Sequence, residues 1–240
     1  MNKNILIITL FLLSMSVKAQ TQQEWRDSLS TLSSLIERHP RNIDLRLRKA
    51  AVNIELEQYK YALEEYSKVL DLDPKNIAAL YYRGFVNQQL GRYSFARNDY
   101  EAVLEQTPWD KHALMGLVLA NNADGRKTQA YDGANRLITM FPKDADVYSI
   151  RAEVEQTMGM IDVALDDISK AIEIEEGSNK QSGKTTISMD DDIASYVLTS
   201  FSLYLSLGDK AKAKENLDYL VRHGIAKAQL NDYFLQVAGK

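Results

Sequence analysis

Few residues of this chain have types that could do chemistry, and their spacing argues against it. Gly177 and Gly183-Lys184-Thr185 have the residue types of a phosphate cradle, in which backbone N–H groups between two glycines wrap a phosphate beside a lysine. That motif needs four residues between its glycines and a strand before it; here there are five, and the run follows a helical segment. Asp190-Asp191-Asp192 offers three carboxylates to a cation but lacks the ligand spacing of a calcium loop. Directly before Ile193, it reads more simply as favourable charge at a helix N-terminus. His39, His112 and His223 are too far apart in sequence for a helical stack to gather them. No Gly-x-Ser-x-Gly elbow supplies a nucleophile. There is no cysteine, which removes thiolate metal sites, disulfides and lipid anchors on sulfur. A net charge of −4 makes no electrostatic case for nucleic acid or anionic lipid. The expectation is a protein that is not an enzyme and carries no cofactor and no metal.

What remains is the set of elements that would position a binding surface, and these repeat. The four prolines are Pro40, Pro74, Pro108 and Pro142, each 34 residues after the last. Ala62, Ala96, Ala130 and Ala164 keep the same interval, as do Leu70, Leu104, Ile138 and Ile172. Gly91, Gly125 and Gly159 form another column, with Glu57 as its exception. Within one interval, apolar residues fall at helical spacing in two runs separated by a break such as Leu90-Gly91-Arg92, which predicts two helices per unit. Proline closes the second helix because it lacks an N–H and disfavours helical geometry in the residue before it. Small residues such as Gly84 and Ala96 suit a close helix crossing.

Leu80, Gly84, Tyr93, Ala96, Tyr100, Val103 and Pro108 fall, in that order and spacing, where the tetratricopeptide repeat has its consensus residues; the chain resembles that family. The resemblance covers units at 43–76, 77–110, 111–144 and 145–178, then a divergent fifth unit at 193–225 in which Gly208 and Ala213 resume the small-residue columns. Lys127 in place of an aromatic and Glu176 in place of a fifth proline depart from the pattern. The fold implied is all-α: a right-handed α-solenoid of stacked helix-turn-helix repeats. The stretch Glu175 to Thr186 reads as a long polar loop, with 179–192 as an insertion. Gly116 and Gly133, inside predicted helices, would each cost about 1 kcal/mol relative to alanine and predict a weaker third unit.

In the family the first helix of each unit lines a concave side, and unit positions two, five, nine and twelve share one face. Carried over residue by residue, the candidate partner-binding positions are Leu47, Ile54, Tyr81, Phe85, Gln88, Met115, Leu119, Asn122 and Glu153. Such a face suits an apolar protein segment. An alternative is that some of these residues turn inward as core. The family's carboxylate clamp has no counterpart, since its positions hold Leu47, Ala51, Tyr82, His112 and Gly116.

Met1 to Ala19 reads as an export signal: Lys3 opens it, Ile5 to Leu13 is apolar apart from Thr9, and Val17-Lys18-Ala19 offers small residues to a peptidase. The apolar run is shorter than the roughly 20 residues a membrane span needs. The alternative is the first helix of a degenerate unit. Cleavage would leave 221 of the 240 residues and, by removing two basic residues, move the net charge from −4 to −6. Thr21 to His39 predicts a capping helix over 20–42, with Thr21 and Glu24 as a capping box and Trp25, Leu29, Leu32 and Ile36 on one face. A second cap is predicted over 226–240 with Leu230, Phe234 and Val237 apolar. Two functions fit: an exported, periplasmic or secreted adaptor that holds a segment of an exported protein, or a scaffold that self-associates through its terminal helices.

Overall fold

The computed structural model describes residues 22–239, so the export segment Met1–Ala19 and the proposed cap Thr21 lie outside the described residues. The chain divides into two compact units at Gly116 and Leu117. The first contains α1 (22–38), α2 (Ile43–Glu55), α3 (Tyr59–Leu72), α4 (Ile77–Gln89), α5 (Tyr93–Gln106) and the start of α6 (Lys111–Ala123). The second contains the end of α6, then α7 (Lys127–Met140), α8 (Ala145–Thr157), α9 (Ile161–Ser182), α10 (Asp192–Ser206) and α11 (Lys210–Arg222). A 3-10 turn, Lys227–Leu230, and α12 (Asn231–Ala238) close it. No strand occurs among the described residues.

The 34-residue period is set by paired stop and start signals. Two residues after each proline stands Asn42, Asn76, Asp110 or Asp144, and each side chain caps the helix that follows. Asn42 accepts from the Leu45 N–H at 3.1 Å, Asn76 from Ala79 at 3.0 Å, Asp110 from Ala113 at 2.8 Å and Asp144 from Asp146 at 3.1 Å. The first helix of each pair ends in a Schellman turn: the Gln58 N–H bonds back to the Asn53 carbonyl, Arg92 to Asn87, Arg126 to Asn121 and Met160 to Glu155. That turn needs a left-handed residue, supplied by glycine at Gly91, Gly125 and Gly159 but by Glu57 in the α2–α3 pair, where φ is +56°.

Within each pair the helices meet at alanine. Ala62, Ala96, Ala130, Ala164 and Ala213 are all fully buried, so backbones approach without side chains holding them apart. A second tie, between positions sixteen apart, crosses four of the pairs. Lys49 and Arg46 hold Glu65 at 3.4 and 2.7 Å, Arg83 holds Asp99 at 2.6 Å, and Arg151 holds Asp167 at 2.6 Å. In the α10–α11 pair the same columns carry a neutral bond from Asn216 to Ser200 at 2.9 Å. In the α6–α7 pair both charges are missing together, replaced by Leu117 and Gly133.

The glycines predicted to weaken the third unit have a packing role. A Cβ on Gly116 would lie 2.5 Å from Cζ of Tyr100, and one on Gly133 would lie 2.7 Å from Cγ2 of Val118. The helix-propensity cost therefore gives room to a buried ring and a buried methyl.

The polar loop expected from Glu175 shrinks: α9 continues to Ser182, eight residues past Ile174, and ends on Gly183 in the left-handed region. Helix-forming Glu, Lys and Gln extend it beyond its apolar period, and Tyr219 donates to Glu176 at 2.6 Å to hold the extension in place. The connection that follows is anchored, with Ile187 buried and its N–H bonded to the His223 carbonyl at 2.8 Å. Lys184, the lysine of the cradle-like run, instead binds Asp191 at 2.6 Å. At the C-terminus, Leu230 is buried and Phe234 and Val237 pack on the last helix pair. On α1, Leu32 and Ile36 are buried while Trp25 and Leu29 are half-buried.

Candidate functional site

The first unit carries the candidate face on α2, α4 and the start of α6. Leu47, Ile54, Tyr81, Phe85, Gln88 and Met115 are all half-buried there, neither sealed in the core nor free in solvent. Leu47, Ala51 and Ile54 of α2, with Tyr66 of α3 and Ala78 and Tyr82 of α4, line a hollow of about 350 Å³. Its charged neighbours are Arg48 and Glu55. Arg48 and Glu55 are of opposite sign, so the charges lining the hollow sum to zero; Arg48 is also paired along its own helix with Asp44 at 2.9 Å.

Aromatic rings run through this region in sequence. Tyr66 stacks on Tyr82 with centroids 5.9 Å apart, Tyr82 meets Tyr81 edge-on at 5.1 Å, and Tyr81 contacts both Tyr100 at 5.9 Å and His112 at 6.4 Å. Tyr66 and Tyr100 are buried, whereas Tyr82 is 46% exposed, so the series leads from the core to solvent. Burial, the largest influence, together with neighbouring tyrosines raises the hydroxyl pKa values of Tyr66, Tyr81 and Tyr100 and keeps them neutral. Rings fixed against one another present apolar area with little rotamer entropy left to lose, which favours binding.

Gln88 faces inward enough to accept from the Tyr100 hydroxyl at 3.3 Å. Tyr82 is absent from the sequence-derived positions because it stands one residue past the chosen stripe; the Tyr81-Tyr82 doublet was its only signal. Lys49, Arg83 and the carboxylates they bind belong to the ties between helices.

The second unit treats its candidates differently. Leu119 is half-buried, Asn122 is buried and Glu153 is exposed. Asn122 donates to Glu153 at 3.4 Å and accepts from the Thr157 hydroxyl at 2.7 Å. Lys127 Nζ donates to the Thr157 carbonyl. Surrounding protein pushes the Glu153 carboxyl pKa up, and the Asn122 bond partly offsets it. This part is a polar network, and Asn122 is occupied in holding it.

Among the described residues, no group of three acidic or imidazole side chains could hold a metal, and no helix is long and apolar enough to cross a membrane.

Two tetratricopeptide-repeat family models match the chain, one over residues 52–91 and one over 87–146. Residues 52–146 thus match tetratricopeptide repeats. A tetratricopeptide-repeat protein from Parabacteroides merdae is similar in structure with a TM-score of 0.67 at 23% identity, covering 92% of this chain and 80% of that one. PilW, described as a widely conserved type IV pilus biogenesis factor, gives 0.67 at 16% identity over 92% of this chain and 91% of its own. YrrB, described as a repeat protein with an unusual peptide-binding site, gives 0.53 at 19% identity over 80% and 92%. These likenesses establish the fold class, an all-α solenoid of stacked helix pairs. No curated protein matches the chain. A fold of this family is a scaffold for protein–protein interaction.

Proposed function

We propose that this protein is an exported, non-enzymatic adaptor whose first-helix face in the first unit holds an apolar segment of a partner protein. The observation that carries the reading is the hollow at Tyr82, nearly neutral, lined by aliphatic and aromatic side chains and open to solvent. Its volume suits one large apolar side chain, and its prearranged rings suit an anchor residue. Leu47, Ile54, Tyr81, Phe85 and Met115 extend the contact along the face, and Leu119, Gln88, Asn122 and Glu153 are the further positions proposed for partner contact. YrrB, described as having an unusual peptide-binding site, supports the class of partner. Export rests on the charge, apolar run and small residues of Met1–Ala19.

A photo-crosslinking side chain placed at Tyr82 tests the binding face, with the same probe at Tyr61, 60% exposed on α3, as control. The expected outcome is one discrete crosslinked polypeptide from Tyr82 only, lost in a Tyr81→Ala, Phe85→Ala variant whose helix content is unchanged. Equal crosslinking from both positions, or capture that survives the double substitution, refutes the face. A crosslink to a second copy of this chain would favour the self-associating scaffold, and light scattering would then show concentration-dependent mass. N-terminal sequencing of the protein recovered from cells tests export, with Gln20 expected first.

A further inference from the structure

Asn53, Asn87 and Asn121 recur 34 residues apart near the ends of α2, α4 and α6, each buried. The next member of the column is Glu155, with no exposed surface. Asn87 shows what the position does: its amide donates to Asp99 at 3.1 Å, helping to satisfy a carboxylate that Arg83 also binds. In the α8–α9 pair the matching carboxylate is Asp167, which lies beside Glu155. A carboxylate at 155 has nothing to donate, and no hydrogen-bond donor reaches either of its oxygens. The nearest cation is Arg151, whose Nε is 3.5 Å from Oε1. Its Nε and Nη2 donate to Asp167 at 2.6 and 2.7 Å and its Nη1 to Asn135 at 2.9 Å. Two buried carboxylates thus share one guanidinium.

We propose that Glu155 is a proton lock on the α8–α9 pair: as the neutral acid it donates its O–H to Asp167, as Asn87 does to Asp99, and losing that proton to water loosens the pair. The charged and titratable groups around it are Arg151 on its own helix, Asp167 and Asp166 on α9, and, next to Arg151, Tyr131 on α7. One cation faces three carboxyl groups, and Asp167 has first claim on it. Burial above all, then Asp167, pushes the Glu155 pKa up to about 7. The ordinary value of 4.5 applies in the unfolded chain. Between the two, the folded state keeps a proton that the unfolded state has released. Stability from the lock is therefore complete below about pH 4.5, declines as pH rises, and is gone once pH passes about 7. Because α8 also carries Glu153, the lock sets how firmly that helix is held; no partner is needed to observe it.

Hydrogen exchange of the α8 and α9 amides in the full chain at pH 5 and pH 8, corrected for the intrinsic pH dependence of exchange, tests this. The corrected opening equilibrium should rise on the order of a hundredfold in the wild type. In Glu155→Gln, whose amide donates at any pH, it should stay nearly flat. An unchanged wild type, or the same rise in Glu155→Gln, overturns the lock. Should that variant fail to fold, the ¹³C carboxyl signal of Glu155 in the wild type decides: a midpoint near 7 supports the lock, and one near 4.5 ends it.

Discussion

Replacing Gly116 by alanine should destabilise the first unit, although alanine is the better helix former. Three atoms of the Tyr100 ring lie 2.5, 2.7 and 2.8 Å from where the new Cβ would be, well inside ordinary contact. The ring has little freedom to retreat. Gly84 of α4 approaches it closely as well, with its own Cβ position 3.0 to 3.2 Å from ring atoms, and the phenol hydroxyl is bonded to Gln88. Overpacking of this kind costs about 1–3 kcal/mol. Helix propensity returns about 1 kcal/mol at a mid-helix glycine. The net loss should be up to about 2 kcal/mol, read as faster exchange of the α4 and α5 amides. The same substitution in a Tyr100→Leu background removes the obstacle and should become neutral or stabilising, a swing of about 1–3 kcal/mol between backgrounds. If Gly116→Ala gains about 1 kcal/mol in both, the ring yields freely and the reasoning is wrong.

Glu57→Gly should stabilise the α2–α3 pair by about 1 kcal/mol, because φ at 57 lies at +56° in a turn whose counterparts use glycine; thermal unfolding would show it as a higher midpoint. Arg83→Leu should cost about 3 kcal/mol by leaving the buried Asp99 without its cation, and adding Asp99→Ala should restore much of that loss in urea titrations. Asp110→Ala should cost about 1 kcal/mol by uncapping α6, visible as faster exchange of its first-turn amides.

The helix pairs were legible because proline, alanine and glycine mark stops, crossings and turns by backbone geometry alone. The caps at Asn42, Asn76, Asp110 and Asp144 are equally legible in residue type, since Asn and Asp two residues after each proline are preferred helix caps. The extension of α9 could not be read from apolar period: its last turns are polar, and Tyr219, 43 residues away, fastens them. The partly open face of α2 and α4 was legible in outline from spacing, since Leu47, Ile54, Tyr81 and Phe85 all lie half-buried on it. Tyr82 escaped because adjacent tyrosines on a helix point about 100° apart, and only packing decides which reaches the hollow. Gln88 and Asn122 read as surface because spacing does not reveal hydrogen bonds to Tyr100 or Thr157.

The ties that join residues sixteen apart constrain how this protein can be recombined. A chimera that took its first helix from the α4–α5 pair and its second from α6–α7 would bring Arg83 opposite Gly133, and the reverse choice would leave Asp99 facing Leu117 in place of Arg83. Crossover points placed in the turns after Pro74, Pro108 and Pro142 keep both partners on the same fragment, so whole helix pairs, rather than single helices, are the pieces that can be exchanged or duplicated.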